Sequence, residues 1–206
     1  MQLEKGYIYH IYNQGNNHRK IFFKRENYLF FLKKVKTYFL PYCDIIAWAL
    51  MPNHFHFMVL VKETELLVAD NIQGFTPSEA LNKKPTRLRT FNDSIGIMLR
   101  SYTRAINKQE GFSGSLFRAE TKAECVNCPN GITPSFITKN GITELNINNP
   151  DKEYPQVLFN YIHQNPVKAK YVAEANDWEF SSAQDYANIR KGKLINKETA
   201  KEYVLW

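Results

Sequence analysis

Cysteine is scarce in this 206-residue chain, and the three present, Cys43, Cys125 and Cys128, make an odd number. With the rest of the composition, that argues against a disulfide framework and reads as cytosolic. Cys125-Val-Asn-Cys128 has the spacing of half a zinc ribbon, but no second pair of that kind exists, so no zinc site is expected there. Long apolar runs are also missing. None approaches the roughly 18 residues of a membrane span, and Met1-Gln-Leu-Glu-Lys-Gly6 lacks the pattern of a signal peptide. The expectation is a cytoplasmic protein without a membrane partner. There is no internal repeat. Acidic residues are outnumbered, 20 against 27 basic ones, which leaves a formal net charge of +7. That balance favours a polyanionic partner such as nucleic acid.

Hydrophobic residues make up 44% of the chain and aromatics 14%, enough for a substantial core. The rings serve mostly as core and in part as stacking platforms for bases. Patterning gives the order β-α-β-β-α-β-α. A strand is predicted over Gly6–Tyr12, then a turn cluster from Asn13 to Asn17 around Gly15. A helix covers Arg25–Phe39, where Tyr28, Phe31, Leu32, Val35 and Phe39 recur at helical spacing. Two strands, Asp44–Leu50 and His54–Val61, flank the tight connection Met51-Pro52-Asn53. Thr64–Thr90 is ambiguous and carries a basic run. A second helix is predicted over Asn92–Asn107, ended by Gly111–Gly114, then a strand over Ser115–Val126. A third helix covers Tyr154–Gln164 and stops near Pro166. The order points to an α+β fold with helices packed on a mainly antiparallel sheet.

His54 and His56 are two apart on a predicted strand, so both imidazoles leave the same face. That is the separation two ligands of one metal need, and neutral imidazole is the ligand form. A pair of hydrogen-bonded residues beside a cleft is the other reading. On the third helix Tyr161 and Asn165 are four apart and share a face. A metal on His54 and His56 has in Asn165 a candidate third, oxygen ligand, and Tyr161 is then a candidate nucleophile. An ordinary core or surface tyrosine fits the spacing as well. His163 faces away from Tyr161 and is not assigned to metal. Tyr102, in Arg100-Ser-Tyr-Thr-Arg104, is the rival nucleophile. Its neighbour four residues on, Ile106, cannot bind metal, so it reads as packing or nucleic-acid contact.

Trp48-Ala-Leu-Met-Pro-Asn-His-Phe-His-Phe-Met-Val-Leu-Val61 resembles the histidine–hydrophobe–histidine segment of the IS200-like transposases, most closely their REP-associated tyrosine branch. Tyr7-Ile-Tyr-His-Ile-Tyr-Asn-Gln-Gly15 is similar to that family's first strand and turn, and Gly114-Ser-Leu-Phe-Arg118 to its middle strand. Tyr161-Ile-His-Gln-Asn-Pro-Val-Lys-Ala169 is similar to its tyrosine helix, and Trp178-Glu-Phe-Ser-Ser182 with Tyr186 to its closing segment. The resemblance spans about residues 5–125 and 153–188. It implies a ferredoxin-like α+β domain over 1–190; the stretch at about 127–151, rich in Asn, Gly, Pro and Thr, has no counterpart in the family and reads as an inserted loop or lobe, and 191–206 reads as a C-terminal tail.

The resemblance also implies metal-dependent cleavage and strand transfer of single-stranded DNA, beside a hairpin, through a 5′-phosphotyrosine. It implies Mg²⁺ or Mn²⁺ held by His54, His56 and Asn165, with Tyr161 as nucleophile. Monomer and homodimer both fit. Candidate phosphate contacts are Arg19, Lys20, Lys83, Lys84, Arg87, Arg89, Arg100, Arg104, Arg118 and Lys168. Two other readings remain: a non-catalytic nucleic-acid-binding protein, and a metal-dependent hydrolase that uses water in place of tyrosine.

Overall fold

The computed structural model describes residues 1–68, 87–128 and 150–206, with two short strands between the last two segments. In chain order the elements are β1 (Ile8–Gln14), α1 (Arg25–Tyr38), β2 (Cys43–Met51), β3 (His54–Val61), β4 (Glu65–Val68), β5 (Arg87–Thr90), α2 (Phe91–Glu110), β6 (Lys122–Cys125), β7 (Thr138–Lys139), β8 (Ile142–Thr143), α3 (Pro150–Lys168), α4 (Ala183–Tyr186) and α5 (Lys197–Lys201). Strands β2, β3, β1 and β6 form one antiparallel sheet in that order. This is the α+β, ferredoxin-like arrangement expected. β3 lies at its centre, paired with β1 on one side and β2 on the other.

Strand alternation divides the sheet into two buried faces. Phe55, Phe57 and Val59 of β3, with Ile11 of β1 and Trp48 of β2, meet Phe31 and Val35 of α1 and Ile95, Met98 and Tyr102 of α2. Met58 of β3, Ile8 of β1 and Ala47 and Ala49 of β2 meet Leu158, Phe159 and Ile162 of α3. The tail packs on that second face too: Ala200 and Val204 are buried there, and the Asn196 N–H donates to the Ile45 carbonyl at 2.9 Å. Helix α2 starts at Thr90, whose Oγ1 accepts from the Asp93 N–H at 3.0 Å, and ends at Gly111 in the left-handed region, φ 69°.

Three expectations change. The strand expected over Ser115–Val126 is confined to Lys122–Cys125. Leu116 and Phe117 are both buried, and consecutive residues of a strand cannot face the same core. The segment therefore leaves the regular ladder, held to the end of β1 by the isolated Gly15–Phe117 bridge, by the Arg118 N–H donating to the Gln14 carbonyl at 2.9 Å, and by the Asn13 side-chain amide donating to the Arg118 carbonyl at 3.2 Å. Helix α3 runs on through Pro166 to Lys168, because Pro166 sits in the last turn and the Ala169 N–H still reaches the Asn165 carbonyl at 3.0 Å. Cys125 and Cys128 are joined as a disulfide with Cα atoms 5.8 Å apart, since the turn after β6 folds one cysteine back on the other. Cys43 is the buried free thiol. Within the ambiguous Thr64–Thr90 stretch, β4 pairs with β5. Residues 69–86 and most of the insertion at about 127–151 lie outside the described residues, apart from the paired strands β7 and β8.

Candidate active site

The pairing register builds the site. β1 and β3 run antiparallel with Tyr12 opposite His56 and Gln14 opposite His54. His54 and His56 therefore share a face with His10, Tyr12 and Gln14, and it is the face that α3 covers. Along α3, Leu158 and Ile162 are in the second core, and Tyr161 and Asn165 stand over the histidines. The rings of His54 and His56 lie 4.9 Å apart by centroid, and the Tyr161 ring meets His56 edge-on at 5.5 Å. His54 and Asn165, separated by 111 positions in sequence, come within 3.4 Å, Nε2 to Oδ1. The Lys168 ammonium lies over the Tyr161 ring at 5.4 Å. A cleft of about 330 Å³ opens here, lined by Tyr12, Gln14, His54, His56, Arg118 and Tyr161 among others.

Each histidine is held by its Nδ1. His54 Nδ1 lies 2.6 Å from Asn53 Oδ1, and the Asn53 amide nitrogen faces the His18 carbonyl at 3.4 Å, which turns Oδ1 toward the imidazole. His56 Nδ1 lies 2.9 Å from His10 Nε2. Burial holds His56 well below the usual imidazole range, reinforced by His10 and His54 beside it. His54 is lowered too, by burial, with the Asn165 contact acting weakly the other way. Both rings are therefore neutral. With Nδ1–H donating to Asn53, His54 carries its lone pair on Nε2, which faces another lone pair on Asn165 Oδ1. His56 Nε2 is buried with no hydrogen-bond partner. Two opposed acceptors beside an orphaned third form a site suited to a cation. Among the described residues no three His, Cys, Asp or Glu side chains converge on one point; the groups here that could hold a cation are two imidazole nitrogens and an amide oxygen. Nitrogen donors of this kind suit Mn²⁺ better than Mg²⁺.

Tyr161 is half-buried. Burial raises its phenol above the ordinary tyrosine range, and its hydrogen bond with the Asn165 side chain pulls in the opposite direction. Asn165 thus touches both the histidine pair and the phenol. His163 points away from the cleft. It is buried against Phe159, with Nε2 2.7 Å from Ser182 Oγ. Tyr102 is sealed in the first core, where its hydroxyl donates to the Ile21 carbonyl at 2.8 Å.

The candidate phosphate contacts separate into groups. Arg118 lines the cleft and Lys168 covers Tyr161, while Arg100 and Arg104 line a neighbouring groove. Arg19 donates to the Ser115 carbonyl, and Lys20 is exposed beside it. Arg87 and Arg89 are on β5, in the hairpin that follows the far end of β3, roughly 20 Å along the strand from His54. Lys83 and Lys84 lie outside the described residues. Sequence reasoning missed His10, Tyr12 and Gln14. Their period-two spacing in the first strand was visible, but only the register against β3 shows that they share the site.

No protein-family model matches the chain, and no curated protein matches it. Among solved structures it is similar to a REP-associated tyrosine transposase bound to a REP hairpin, with a TM-score of 0.51. That match covers 90% of this chain and 81% of the other, at 16% sequence identity. Among the described residues no helix is long and apolar enough to cross a membrane. At such low identity the likeness establishes the fold alone: this chain shares the α+β architecture of that solved structure.

Proposed function

We propose that the protein is a metal-dependent single-strand DNA endonuclease and strand transferase of the transposase type, with Tyr161 as its nucleophile. The observation that carries this reading is the convergence of His54 and His56 from β3 with Tyr161 and Asn165 from α3 around one open cleft. The transposase of similar fold is bound to a REP hairpin, which supports a hairpin-adjacent single strand as substrate. His54, His56 and Asn165 would hold Mn²⁺ or Mg²⁺, which supplies electrophilic polarisation of the phosphodiester.

The chain's own residues do the rest. Asn165 orients the phenol, and Lys168 and Arg118 place positive charge beside the scissile phosphate. The Tyr161 oxygen attacks phosphorus, the P–O3′ bond breaks, and a 5′-phosphotyrosine forms. The phenolic proton passes to solvent, and the departing 3′ oxygen takes one up. Attack of a 3′ hydroxyl on the adduct reverses these bonds and rejoins the strand. The raised affinity of the phenol for its proton is what the positive charge of Lys168 beside its ring works against.

The test incubates the protein with a hairpin oligonucleotide carrying single-stranded flanks and Mn²⁺, then resolves covalent adduct on a denaturing gel. An adduct is expected, lost with a chelator and lost in Tyr161→Phe while DNA binding persists. A folded protein that binds but never forms adduct would overturn nuclease activity. Cleavage that survives Tyr161→Phe would replace the tyrosine by water.

A further inference from the structure

The cleft has a second opening. Asn13 and Arg118 line both the cleft and a larger groove of about 570 Å³ that runs beside α2. One wall is α2 from Gly96 to Asn107, a length of roughly 16 Å at 1.5 Å per residue. The other is the irregular segment from Gly114 to Thr121, which gave up its strand to bury Leu116 and Phe117.

Arg100 and Arg104 are four apart on the groove side of α2, and both are exposed. Gly96 leaves room for the Arg100 guanidinium, since a Cβ there would stand 3.1 Å from Nη1. Arg118 is steadied at the junction by His18, with Nη2 3.3 Å from Nε2, and His18 is itself fixed by Gln14 at 2.8 Å. Beyond Gly114 stand Phe112, 42% exposed, and Phe23, 36% exposed, edge-to-face at 5.7 Å. The Arg19 guanidinium lies 6.0 Å from the Phe112 ring. Both rings are left in water, close to a guanidinium and next along the chain from the Gly114 end of the basic groove.

A basic groove ending in exposed rings is how single strands are held without sequence readout: guanidinium groups track the phosphates and bases stack on aromatic faces. We propose that this groove is the track for the single-stranded segment leaving the cleft, its phosphates on Arg118, Arg104 and Arg100 and an unpaired base on the ring of Phe112. The track rests on the nuclease reading for its polarity toward Tyr161, and its binding can be measured apart from cleavage.

The experiment titrates the full chain with a fluorescent hairpin oligonucleotide bearing a single-stranded extension, in chelator, at several salt concentrations. The Arg100→Ala/Arg104→Ala double variant should bind about tenfold more weakly and reduce the salt slope by about 1.4, at roughly 0.7 per lost phosphate contact. Arg100→Lys/Arg104→Lys should keep the slope. Phe112→Ala should weaken binding about 5- to 100-fold with the slope unchanged, and Phe112→Trp should restore it. The Phe112→Ala loss should disappear on an extension of abasic nucleotides. If folded variants bind as the wild type does and still form adduct, the groove is not the track although the nuclease reading stands. Equal losses on a blunt hairpin would assign the groove to duplex and overturn the proposal. Loss of binding as described, with no adduct from the wild type, would keep the track and remove the nuclease.

Discussion

Two helices cover opposite faces of one sheet, and each carries a buried or half-buried tyrosine, yet the two faces serve different ends. On the α2 face Tyr102 is enclosed by Phe22, Phe31 and Phe117, its hydroxyl spent on a backbone carbonyl, and burial drives its phenol far above the ordinary range. On the α3 face Tyr161 has a side-chain partner, Asn165, and an edge open to the cleft. The Tyr102 hydroxyl is committed to the Ile21 carbonyl and does not line the cleft. Around Tyr161, lone pairs face each other and a buried nitrogen has no partner. Buried polar atoms without partners are costly, and on the α3 face the His56 nitrogen lies beside the cleft, where such an atom is within reach of a ligand. All three buried histidines among the described residues, His10, His56 and His163, are associated with that face as well.

That difference predicts where acid acts. Burial lowers His163 from its ordinary value to about 4, so between roughly pH 6.5 and 4 the unfolded chain holds a proton that the folded one does not. The stability from neutral burial is complete above about pH 6.5 and declines as pH falls toward 4, by about 3 kcal/mol for this residue. Urea unfolding at pH 7 and pH 5 should show a larger loss for the wild type than for His163→Gln, by about 2 kcal/mol. Equal losses would mean that His163 is hydrated in the folded state.

A smaller effect should come from His10. His10→Phe keeps the stacking on Tyr12 and His56 but removes the hydrogen-bond partner of His56 Nδ1. Mn²⁺ affinity, read by calorimetry, should fall about 10- to 100-fold with little change in fold. Unchanged affinity would show that His56 is positioned by packing alone. Smallest of all, Tyr102→Phe should cost about 1 kcal/mol for the lost bond to Ile21 and leave adduct formation at the wild-type level. A large fall in adduct from that variant would erase the distinction between the two tyrosines.

Much of this was legible in the sequence because periodicity is local. The apolar period of α1 and α2, the alternation across His54–Val61, and the four-residue spacing of Tyr161 and Asn165 each reduce to chain geometry. The role of His10 was not legible, since a single histidine in an aromatic strand has no partner until strand pairing supplies one. The early departure of Ser115–Thr121 from the sheet was hidden because Leu116 and Phe117 look as much like strand as like a plug. Which of the scattered arginines belong together was also hidden. Arg100, Arg104 and Arg118 meet through the packing of α2 against that irregular segment, whereas Arg87 and Arg89 lie beyond the far end of β3.

The antiparallel register of β1 on β3 sets what kinds of genetic change this protein can survive. Substitutions at Phe55 or Phe57 alter packing by degrees. Loss of one residue from the Met51–Asn53 connection, by contrast, would exchange inner and outer positions along β3, turning His54 and His56 toward the aromatic core and Phe55 and Phe57 toward the cleft. Lineages carrying this site should therefore exchange apolar residues at the core positions of these strands while keeping the number of residues between Met51 and His54 fixed, a signature written in gap placement as much as in identity.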